Sequence, residues 1–373
     1  MPARYVCRDV ILFLHNRYRA SGGEERAVSD FLWLIREHLG EEVELLERDS
    51  ALLGRARAAA GMLGGGLRPD EVARAVRRTR ARVVHAHNLH PAFGWRALAA
   101  AREAGARVVA HLHQYRLVCA VGICFTNGRE CTRCHGRNTL PGLLRNCRGD
   151  GGEALVYAGA LALWQRRLTG LLDAAIVPSE FAATRLRELG APLPAATHVL
   201  GNPVRAFAER SQAAAGGYAL FSGRLEEEKG LAVAIEACAI AGMPLTVAGE
   251  GSQRERFAGA AGVSFAGHVS DEQLAVLRRG ARLALMPSLT GETFGLAAAE
   301  AMAAGVPVAA SDIGALRELV AAQWRSPPGD ARALAARIGA LREDAGAGDS
   351  ALARARELLD PARLAATLGG IYS

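Results

Sequence analysis

Short runs of apolar residues alternate with longer segments of mixed polarity from one end of the chain to the other. Runs such as Val10–His15, Tyr218–Ser222 and Leu283–Pro287 predict strands. The segments between them, such as Glu24–Leu39, predict amphipathic helices. Apolar strands separated by helices are typical of parallel sheets that are covered on both faces. The pattern therefore predicts an α/β protein.

The same alternation predicts how the chain is divided. Further strands are predicted at Arg82–Ala86, Arg107–Leu112, Ala174–Pro178, Leu245–Ala248, Val263–Ala266 and Pro307–Ala310, with helices between them. The alternation stops once, at Ala206–Gly217, which we interpret as a linker. We predict two doubly wound, Rossmann-like domains, residues 1–205 and 206–350, that face each other across a cleft. A helical stretch at 351–373 could pack back on the first domain. Ligands of such sheets bind beyond the carboxyl ends of the strands, so we look for chemistry in those loops.

One of these loops combines acids with a glycine at a predicted helix start. Residues 288–307 have the sequence SLTGETFGLAAAEAMAAGVP. We expect the backbone N–H groups of Phe294, Gly295 and Leu296 to be available there for a phosphate. Glu300 falls in an alanine-rich helix that should be buried, where a carboxylate needs a partner such as the hydroxyl pair of a ribose. The alternative is an ordinary helix with Glu292 near its start and Glu300 on a solvated face.

A second loop carries two cations. Residues 221–230, FSGRLEEEKG, place Arg224 and Lys229 on either side of three acids and just before a predicted helix. An arginine fork and a lysine point charge at one helix start suit a pyrophosphate. Lys229 is also the only lysine in the 373 residues. The alternative is that both cations pair with Glu226–Glu228 on the surface.

Together these two loops resemble the donor-site signature of the retaining glycosyltransferases of family 4, which have the GT-B fold. The resemblance continues at VAGEG (247–251), FAGHV (265–269), AAGVPV (303–308) and SDIG (311–314). It is looser in the N-terminal half, at HNRYRASGGEE (15–25), HAHNLHP (85–91), HQYRLVC (113–119), CTRC (131–134), VPSEF (177–181) and GNPV (201–204). It covers about residues 10–320.

The resemblance implies a role for each matched position. Arg224 and Lys229 would hold the donor diphosphate, Glu300 the ribose hydroxyls, and Glu292 the donor sugar. His113 would lie near the transferred sugar and the acceptor, so the implied catalytic set is His113, Glu292, Arg224 and Lys229. The other implied donor-binding positions are Gly22, Gly23, Gly249, Gly267, His268, Phe294, Gly295 and Leu296. Gln114 and Ala120 depart from the subgroup, which has Asn and Pro there, and these departures concern the acceptor side.

The implied reaction moves a sugar from a nucleotide-diphosphate sugar to an acceptor hydroxyl with retention of anomeric configuration. The chain contains neither a D-x-D nor an H-E-x-x-H motif, so we expect no metal and no other cofactor in catalysis. The acceptor could be a lipid-linked or cell-envelope glycan, or a small metabolite. The alternatives are a phosphorylase or epimerase on the same fold, and a non-catalytic protein that binds sugar nucleotides. All four charged donor residues, Arg224, Lys229, Glu292 and Glu300, are present, which disfavours a non-catalytic binding protein.

The distribution of charge adds an expectation about partners. The formal net charge is +7, and residues 51–150 hold 17 arginines against five acids. This excess could meet a lipid-linked phosphate or a membrane surface, or it could be a solvated face. The helix-like run Glu153–Leu168 could likewise lie in a membrane interface or pack in a core. Aromatic residues make up 5% of the chain and form no stacking platform, which argues against nucleic acid as a partner.

Two further patterns concern location and thiols. Met1–Asp9 lacks the features of a signal peptide, and the apolar run Ala154–Trp164 is too short to span a bilayer. We therefore expect a cytoplasmic protein that could contact the inner face of the membrane. Five of the seven cysteines fall within residues 119–147, in an insertion at about 117–150. Cys119, Cys131, Cys134 and Cys147 could hold a structural zinc; buried thiols and disulfides are the alternatives.

Alternating histidines occur at the ends of two predicted strands. Alternation places His85 and His87 on one side of their strand, and His111 and His113 on one side of theirs. Either these histidines form a metal pair, or one is buried and hydrogen-bonded while the other lies at the cleft.

Overall fold

The computed structural model describes residues 10–18 and 22–373. The segment Met1–Asp9, on which the prediction about a signal peptide rests, lies outside the described residues. The chain divides into two compact units. One contains the residues up to Ile123, Thr132–Pro203 and Pro361–Ser373; the other contains Cys124–Cys131 and Val204–Asp360.

The strands of the described residues are β1 (Val10–Arg17), β2 (Glu42–Asp49), β3 (Val83–Ala86), β4 (Arg107–His111), β5 (Phe125–Thr126), β6 (Arg129–Glu130), β7 (Ala174–Val177), β8 (Thr197–Val199), β9 (Tyr218–Ser222), β10 (Leu245–Ala248), β11 (Val263–Gly267), β12 (Ala281–Met286), β13 (Val308–Ser311) and β14 (Arg325–Ser326).

The α-helices of the same residues are α1 (Gly23–Leu34), α2 (Arg55–Gly64), α3 (Pro69–Thr79), α4 (Gly94–Glu103), α5 (Leu140–Leu144), α6 (Gly151–Thr169), α7 (Glu180–Glu188), α8 (Leu231–Ala241), α9 (Asp271–Gly280), α10 (Leu296–Ala303), α11 (Leu316–Leu319), α12 (Ala331–Glu343), α13 (Ala347–Leu358) and α14 (Pro361–Tyr372). Short 3₁₀ turns include Ser50–Leu52 and Glu227–Lys229, and a π-helical turn at Ile35–Leu39 follows α1.

Each unit is built on a six-stranded parallel sheet. The strand order is β2-β1-β3-β4-β7-β8 in the first unit and β11-β10-β9-β12-β13-β14 in the second. In both, the order reverses direction beside the first strand of the unit, as in doubly wound nucleotide-binding folds. The prediction of two Rossmann-like domains is confirmed. A small antiparallel hairpin, β5-β6, belongs to the second unit although it lies within the cysteine-rich part of the sequence.

Both faces of each sheet are buried. Alternation along β1 sends Leu12 and Leu14 into one core cluster and Ile11 and Phe13 into another. Helices cover both clusters, which is why the central parallel strands are largely apolar. In the second unit, Leu220 and Phe221 of β9 divide between two cores in the same way.

The C-terminal stretch is two helices. Pro361 lacks a backbone N–H and therefore starts a new helix where a single one would have continued. Ala355 of α13 packs in the core of the second unit, whereas Leu368 and Tyr372 of α14 pack in the first. Within the described residues, no helix is both long and apolar enough to cross a membrane.

Candidate active site

The loops at the carboxyl edge of the second sheet are tied to one another by backbone hydrogen bonds. The amide of Gly223, after β9, donates to Ala248 O at 3.0 Å, and the amide of Gly249, after β10, donates to Gly267 O at 2.8 Å. The loop after β12 is joined to the loop after β9 by a 2.8 Å bond from Leu289 N to Glu228 O. The loops that carry Arg224, Lys229 and Glu292 are thereby connected, at the edge of the sheet where the sequence predicts the chemistry.

Two glycines let these loops approach closely. Gly230 has φ 73°, and a Cβ there would lie 2.0 Å from the carbonyl oxygen of Pro287, so only glycine fits beside the end of β12. Gly295 has φ 89° and precedes α10, and a Cβ there would lie 2.8 Å from Leu316 Cδ2. The first N–H groups of α10 have no carbonyl of an earlier turn to bond, so they are available to an anion.

Lys229 and Glu292 form a half-buried ion pair. Lys229 Nζ lies 2.6 Å from Glu292 Oε1, and Ser288 Oγ donates to the same oxygen at 2.7 Å. Burial is the largest influence on this carboxyl and opposes its ionisation, but Lys229 and Ser288 hold the pKa of Glu292 below its usual value. Glu292 is therefore a carboxylate at neutral pH, and it fixes the position of the ammonium group.

Arg224 is placed differently from Lys229. Its guanidinium Nη2 donates to Glu228 Oε1 at 3.0 Å, within the same loop, and its side chain is 45% exposed. The pairing of cations with acids of the same loop, which the sequence left open for both residues, thus holds for Arg224. It does not describe Lys229, whose carboxylate partner stands 63 positions further along the chain.

Glu300 has an arginine partner that the sequence did not reveal. Arg278, near the end of α9, forms an ion pair with Glu300 in α10, and both side chains are 12% exposed. The sequence argument required a partner for a buried carboxylate, and Arg278 meets that requirement without a ligand. Burial alone is therefore no longer evidence that Glu300 binds ribose.

The remaining predicted donor residues of the second unit follow β10 and β11. Gly249 and Gly267 follow or end these strands, where the two loops meet. The backbone N–H of His268 donates to Glu250 Oε1 at 3.2 Å, and Glu250 in turn pairs with Arg254. Phe294 is buried and Leu296 begins α10. All of these residues belong to the carboxyl edge of one sheet.

Three predicted residues, Gly22, Gly23 and His113, belong to the first unit. Gly22 precedes α1 and donates its N–H to Glu25 Oε2 at 2.8 Å, and Gly23 is the first residue of α1. Beside them lies Glu24, a buried acid that sequence reasoning missed. Tyr18 Oη donates to Glu24 Oε2 at 2.6 Å, yet burial raises the pKa of Glu24 to about 7.

His113 ends a stack of histidine rings on one face of the first sheet. The ring centroids of His111 and His113 lie 4.1 Å apart, and His87 Nδ1 lies 2.8 Å from His113 Nε2. At the other end, His85 Nδ1 lies 2.7 Å from Tyr372 Oη. Burial lowers the pKa of His85 and of His113 to about 3. We call His85, His87, His111 and His113 the histidine stack; its members are neutral at physiological pH.

The stack does not have the geometry of a metal centre. Among the described residues, one ring nitrogen from each of His85, His87 and His111 lies within 4.8 Å of the others. The rings are close to parallel, at 9° for His85 and His111 and 21° for His87 and His111. Nitrogen lone pairs lie in the ring planes, so nearly parallel rings do not direct them to one point. All four histidines are buried, which differs from the predicted arrangement with one at a cleft.

The six described cysteines are present as thiols. Burial raises the pKa of Cys134, and the nearby Cys119 and Cys147 raise it further, whereas backbone N–H groups of Ala120 and Gly142 oppose the shift. Three of the four predicted zinc ligands are therefore neighbours in the first unit. Cys131 belongs by contacts to the second unit. Zinc at these residues stays a prediction.

The first unit also contains a cavity of about 510 Å³. Helix α2 contributes Ala59 and Met62 to its wall, and α6 contributes Val156 and Tyr157. Three arginines line the same space: Arg55, Arg116 and Arg148. Arg116 lies over the ring of Tyr18, at 4.5 Å from its centroid, and Arg148 pairs with Glu153. The cavity thus offers an apolar wall and cationic groups to one ligand.

Two family models match this chain. The "Glycosyl transferase 4-like domain" model matches residues 10–203, and the "Glycosyl transferases group 1" model matches residues 216–344. The chain belongs to the GT-B glycosyltransferases. The matches correspond closely to the two sheets, and the predicted α/β fold with two Rossmann-like domains is that of the family.

Curated relatives match different parts of this chain. It is 34% identical over 206 residues to a glycogen synthase of Mycobacterium tuberculosis, a match that spans 50% of each chain. It is 35% identical over 139 residues to a phosphatidyl-myo-inositol mannosyltransferase of Mycobacterium leprae, which covers 34% of this chain and 37% of the relative. The chain thus spans half or less of the length of these curated relatives.

Solved structures are similar over nearly the whole chain. A sucrose-phosphate synthase from Thermosynechococcus elongatus has a TM-score of 0.70 at 18% identity and covers 98% of both chains. Anabaena Alr3699/HepE in complex with UDP and glucose has a TM-score of 0.64 at 19% identity and covers 97% of this chain and 99% of its own. At these identities the likeness establishes the fold.

Proposed function

We propose that this chain transfers a sugar from a nucleoside-diphosphate sugar to an acceptor hydroxyl, with retention of anomeric configuration and without a catalytic metal. The observation that carries the proposal is the Lys229–Glu292 pair at the carboxyl edge of the second sheet, next to the start of α10. An ammonium group has three N–H donors. With one directed at Glu292, two are left for the oxygens of a diphosphate.

The charges of this edge fit the leaving group. As the bond between sugar and phosphate breaks, negative charge grows on the diphosphate. Lys229, Arg224 and the N–H groups at the start of α10 are fixed donors that would stabilise it where it develops. These groups supply the positive charge that a divalent cation supplies in metal-dependent enzymes. That supports metal-independent transfer.

Retention is supported by the resemblance of the donor segments to family 4. In the implied route the acceptor hydroxyl attacks from the same face as the departing diphosphate, which receives the proton. His113, in its neutral form, would position the acceptor or the sugar through hydrogen bonds, since an imidazole of such low pKa carries no charge.

The acceptor would bind in the first unit, in the cavity lined by Met62, Tyr157 and Arg116. Its apolar wall and its arginines fit a lipid-linked sugar phosphate better than a small neutral metabolite. One relative, the phosphatidyl-myo-inositol mannosyltransferase, is named for a lipid acceptor. A small anionic metabolite is the second candidate, because the cavity volume is also sufficient for it.

The test begins with the donor. UDP-, GDP-, ADP- and dTDP-sugars are compared by thermal shift, with UDP first because a similar structure binds it. Release of nucleoside diphosphate is then measured with and without a lipid-linked or a soluble phosphorylated acceptor, and the anomeric configuration of the product is read by NMR. Acceptor-dependent release with retention supports the proposal. Conversion of the sugar without release indicates an epimerase, sugar phosphate formed from inorganic phosphate indicates a phosphorylase, and binding without turnover indicates a binding protein.

A further inference from the structure

Three helices of the first unit present leucines to the solvent. Six leucines on α2, α5, α6 and the turn before α2 are between 45% and 85% exposed, and we call them the leucine face: Leu52, Leu63, Leu140, Leu144, Leu155 and Leu163. Elsewhere among the described residues, the large apolar side chains exposed to this degree are Ile240 and Val276, both in the second unit. Monomeric proteins rarely concentrate exposed apolar side chains in this way unless the surface binds something.

Direct contacts join the helices that carry the leucine face. Trp164 Nε1 of α6 donates to the carbonyl of Leu63 in α2 at 3.0 Å. Thr139, just before α5, donates its hydroxyl to Ala158 O of α6 at 2.7 Å. The five leucines on α2, α5 and α6 therefore belong to one layer of packed helices, and Leu52 lies in the turn that leads into α2.

The face of α6 that points away from the core is apolar as well. Leu155, Ala162 and Arg166 are spaced by seven and four residues, which places them on one side of the helix. Leu155 and Arg166 are exposed, whereas Ala158 and Gln165, about 60–80° further around the helix, are buried. A solvent-facing row of leucine and alanine that ends in arginine is typical of helices that lie in a membrane interface.

The charge of this layer has one sign. Residues 50–64 and 137–168 contain seven arginines and two acids. Both acids are engaged, Asp150 with Arg55 at 3.2 Å and Glu153 with Arg148. Arg57, Arg166 and Arg167 are exposed. Leucines surrounded by arginines complement a surface that is apolar inside and negative at its border.

We infer that the leucine face docks on an anionic lipid bilayer. The leucines would enter the boundary between head groups and acyl chains, and Arg57, Arg166 and Arg167 would contact lipid phosphates. The cavity between α2 and α6 is bordered by the same two helices, so a lipid-linked acceptor could enter it from the bilayer. This last step rests on the proposed function; the docking itself does not.

Vesicle binding tests the docking without any turnover. The 373-residue chain is co-sedimented with phosphatidylglycerol/phosphatidylcholine vesicles and with phosphatidylcholine vesicles, at low salt and at about 0.5 M salt. We expect binding to the anionic vesicles at low salt and its loss at high salt. Equal binding to both kinds of vesicle, or none to the anionic ones, would overturn the inference.

Variants locate the surface. The triple substitution Leu144→Ser, Leu155→Ser, Leu163→Ser should weaken binding to anionic vesicles by about tenfold or more, because apolar insertion is lost. Its matched control, Ile240→Ser with Val276→Ser, removes exposed apolar side chains of the second unit and should leave binding unchanged. Arg57→Gln with Arg166→Gln should weaken binding and its salt dependence, whereas the exposed Arg332→Gln should not. Equal effects of variant and control would contradict the assignment.

Two controls separate the possible failures. Melting temperature and the thermal shift caused by UDP must match the wild type in each leucine variant, which shows that the fold and donor site are intact. If the leucine variant changes the mass of the protein in solution from dimer to monomer while vesicle binding persists, the face joins two copies of the chain and the inference is wrong. If vesicle binding follows the prediction but no transfer is found, the docking stands and the proposed function fails.

Discussion

The carboxyl edge of the second sheet, with Lys229, Arg224 and Glu300, is called the donor edge here because we propose that it binds the donor. It and the histidine stack of the first unit hold their polar groups in opposite ways. At the donor edge, Lys229, Arg224 and Arg278 each form an ion pair with a carboxylate. In the histidine stack, burial removes the charge instead, and the rings are neutral. Fixed positive charge suits a phosphate, whereas neutral donors and acceptors suit sugar hydroxyls. The comparison thus supports the proposal that the two units have different tasks.

Acid should therefore destabilise the first unit before the second. Burial lowers the pKa of His15 to about 4 and of His85 and His113 to about 3, so between pH 6.5 and 5 the unfolded chain binds more protons than the folded one. As the pH is lowered from 6.5 to 5, each such histidine therefore reduces the free energy of unfolding by about 2 kcal/mol. Glu24 acts in the opposite direction, because its pKa is raised to about 7. Burial also lowers the pKa values of His87, His90 and His111, so the histidines together outweigh Glu24 and we expect a net loss of stability as the pH is lowered.

The second unit provides the contrast for this measurement. Since the pKa of Glu292 lies below its usual value, its contribution is lost only as pH falls below about 4.5. Hydrogen exchange read by mass spectrometry should show protection falling between pH 7 and pH 5 in peptides of the first sheet only. His85→Gln should reduce the pH dependence, and the exposed control His268→Gln should not. Equal pH dependence in both units would break the comparison.

Removal of the ammonium group should slow the reaction strongly. Lys229→Ala should cost about 2–4 kcal/mol, or ~30–1000-fold in kcat/KM, because a fixed donor to the developing charge is lost. Lys229→Arg is the companion, because it keeps the charge in a different geometry and should retain part of the activity. Steady-state kinetics with a saturating acceptor measures both. Turnover of Lys229→Ala close to that of the wild type would remove the donor edge from the mechanism.

The pairs at the donor edge also show what sequence could and could not reveal. The apolar strands β9 and β10 match their predicted bounds, because a strand buried on both faces leaves an uninterrupted apolar run in the sequence. Strand β2, EVELLERD, was missed, since it lies at the sheet edge and no residue in it is fully buried. The donor loops were found from their cations and glycines. The partners Glu292 for Lys229 and Arg278 for Glu300 were not, because partner choice depends on how distant loops meet.

Substitutions in the cysteine segment, residues 117–150, should have a smaller effect on the protein than loss of Lys229. If zinc binds Cys119, Cys131, Cys134 and Cys147, protein purified without added metal should contain about one zinc per chain. Cys131→Ser with Cys134→Ser should then lower the free energy of unfolding and expose residues 117–150 to protease. Cys238→Ser, a buried thiol outside the segment, is the control for a simple packing loss. Metal-free protein with the same melting temperature in the double variant would leave these thiols as packing groups.

The smallest effect concerns Glu300, and it sharpens what the donor edge recognises. If Glu300 accepts hydrogen bonds from the ribose, a UDP-sugar should bind better than its 2′-deoxy analogue, and Glu300→Gln should reduce that preference by about 1 kcal/mol, or ~5-fold in donor KM. The substitution also breaks the ion pair with Arg278. That loss lowers the stability of the protein and affects the binding of both donors equally. Only the ratio between the two donors is therefore informative. Arg278→Gln is the matched control: it breaks the same pair and leaves the carboxylate, so it should keep the preference for ribose. If both variants lose the preference to the same extent, Glu300 serves the packing of α9 against α10, and the ribose is recognised by other residues.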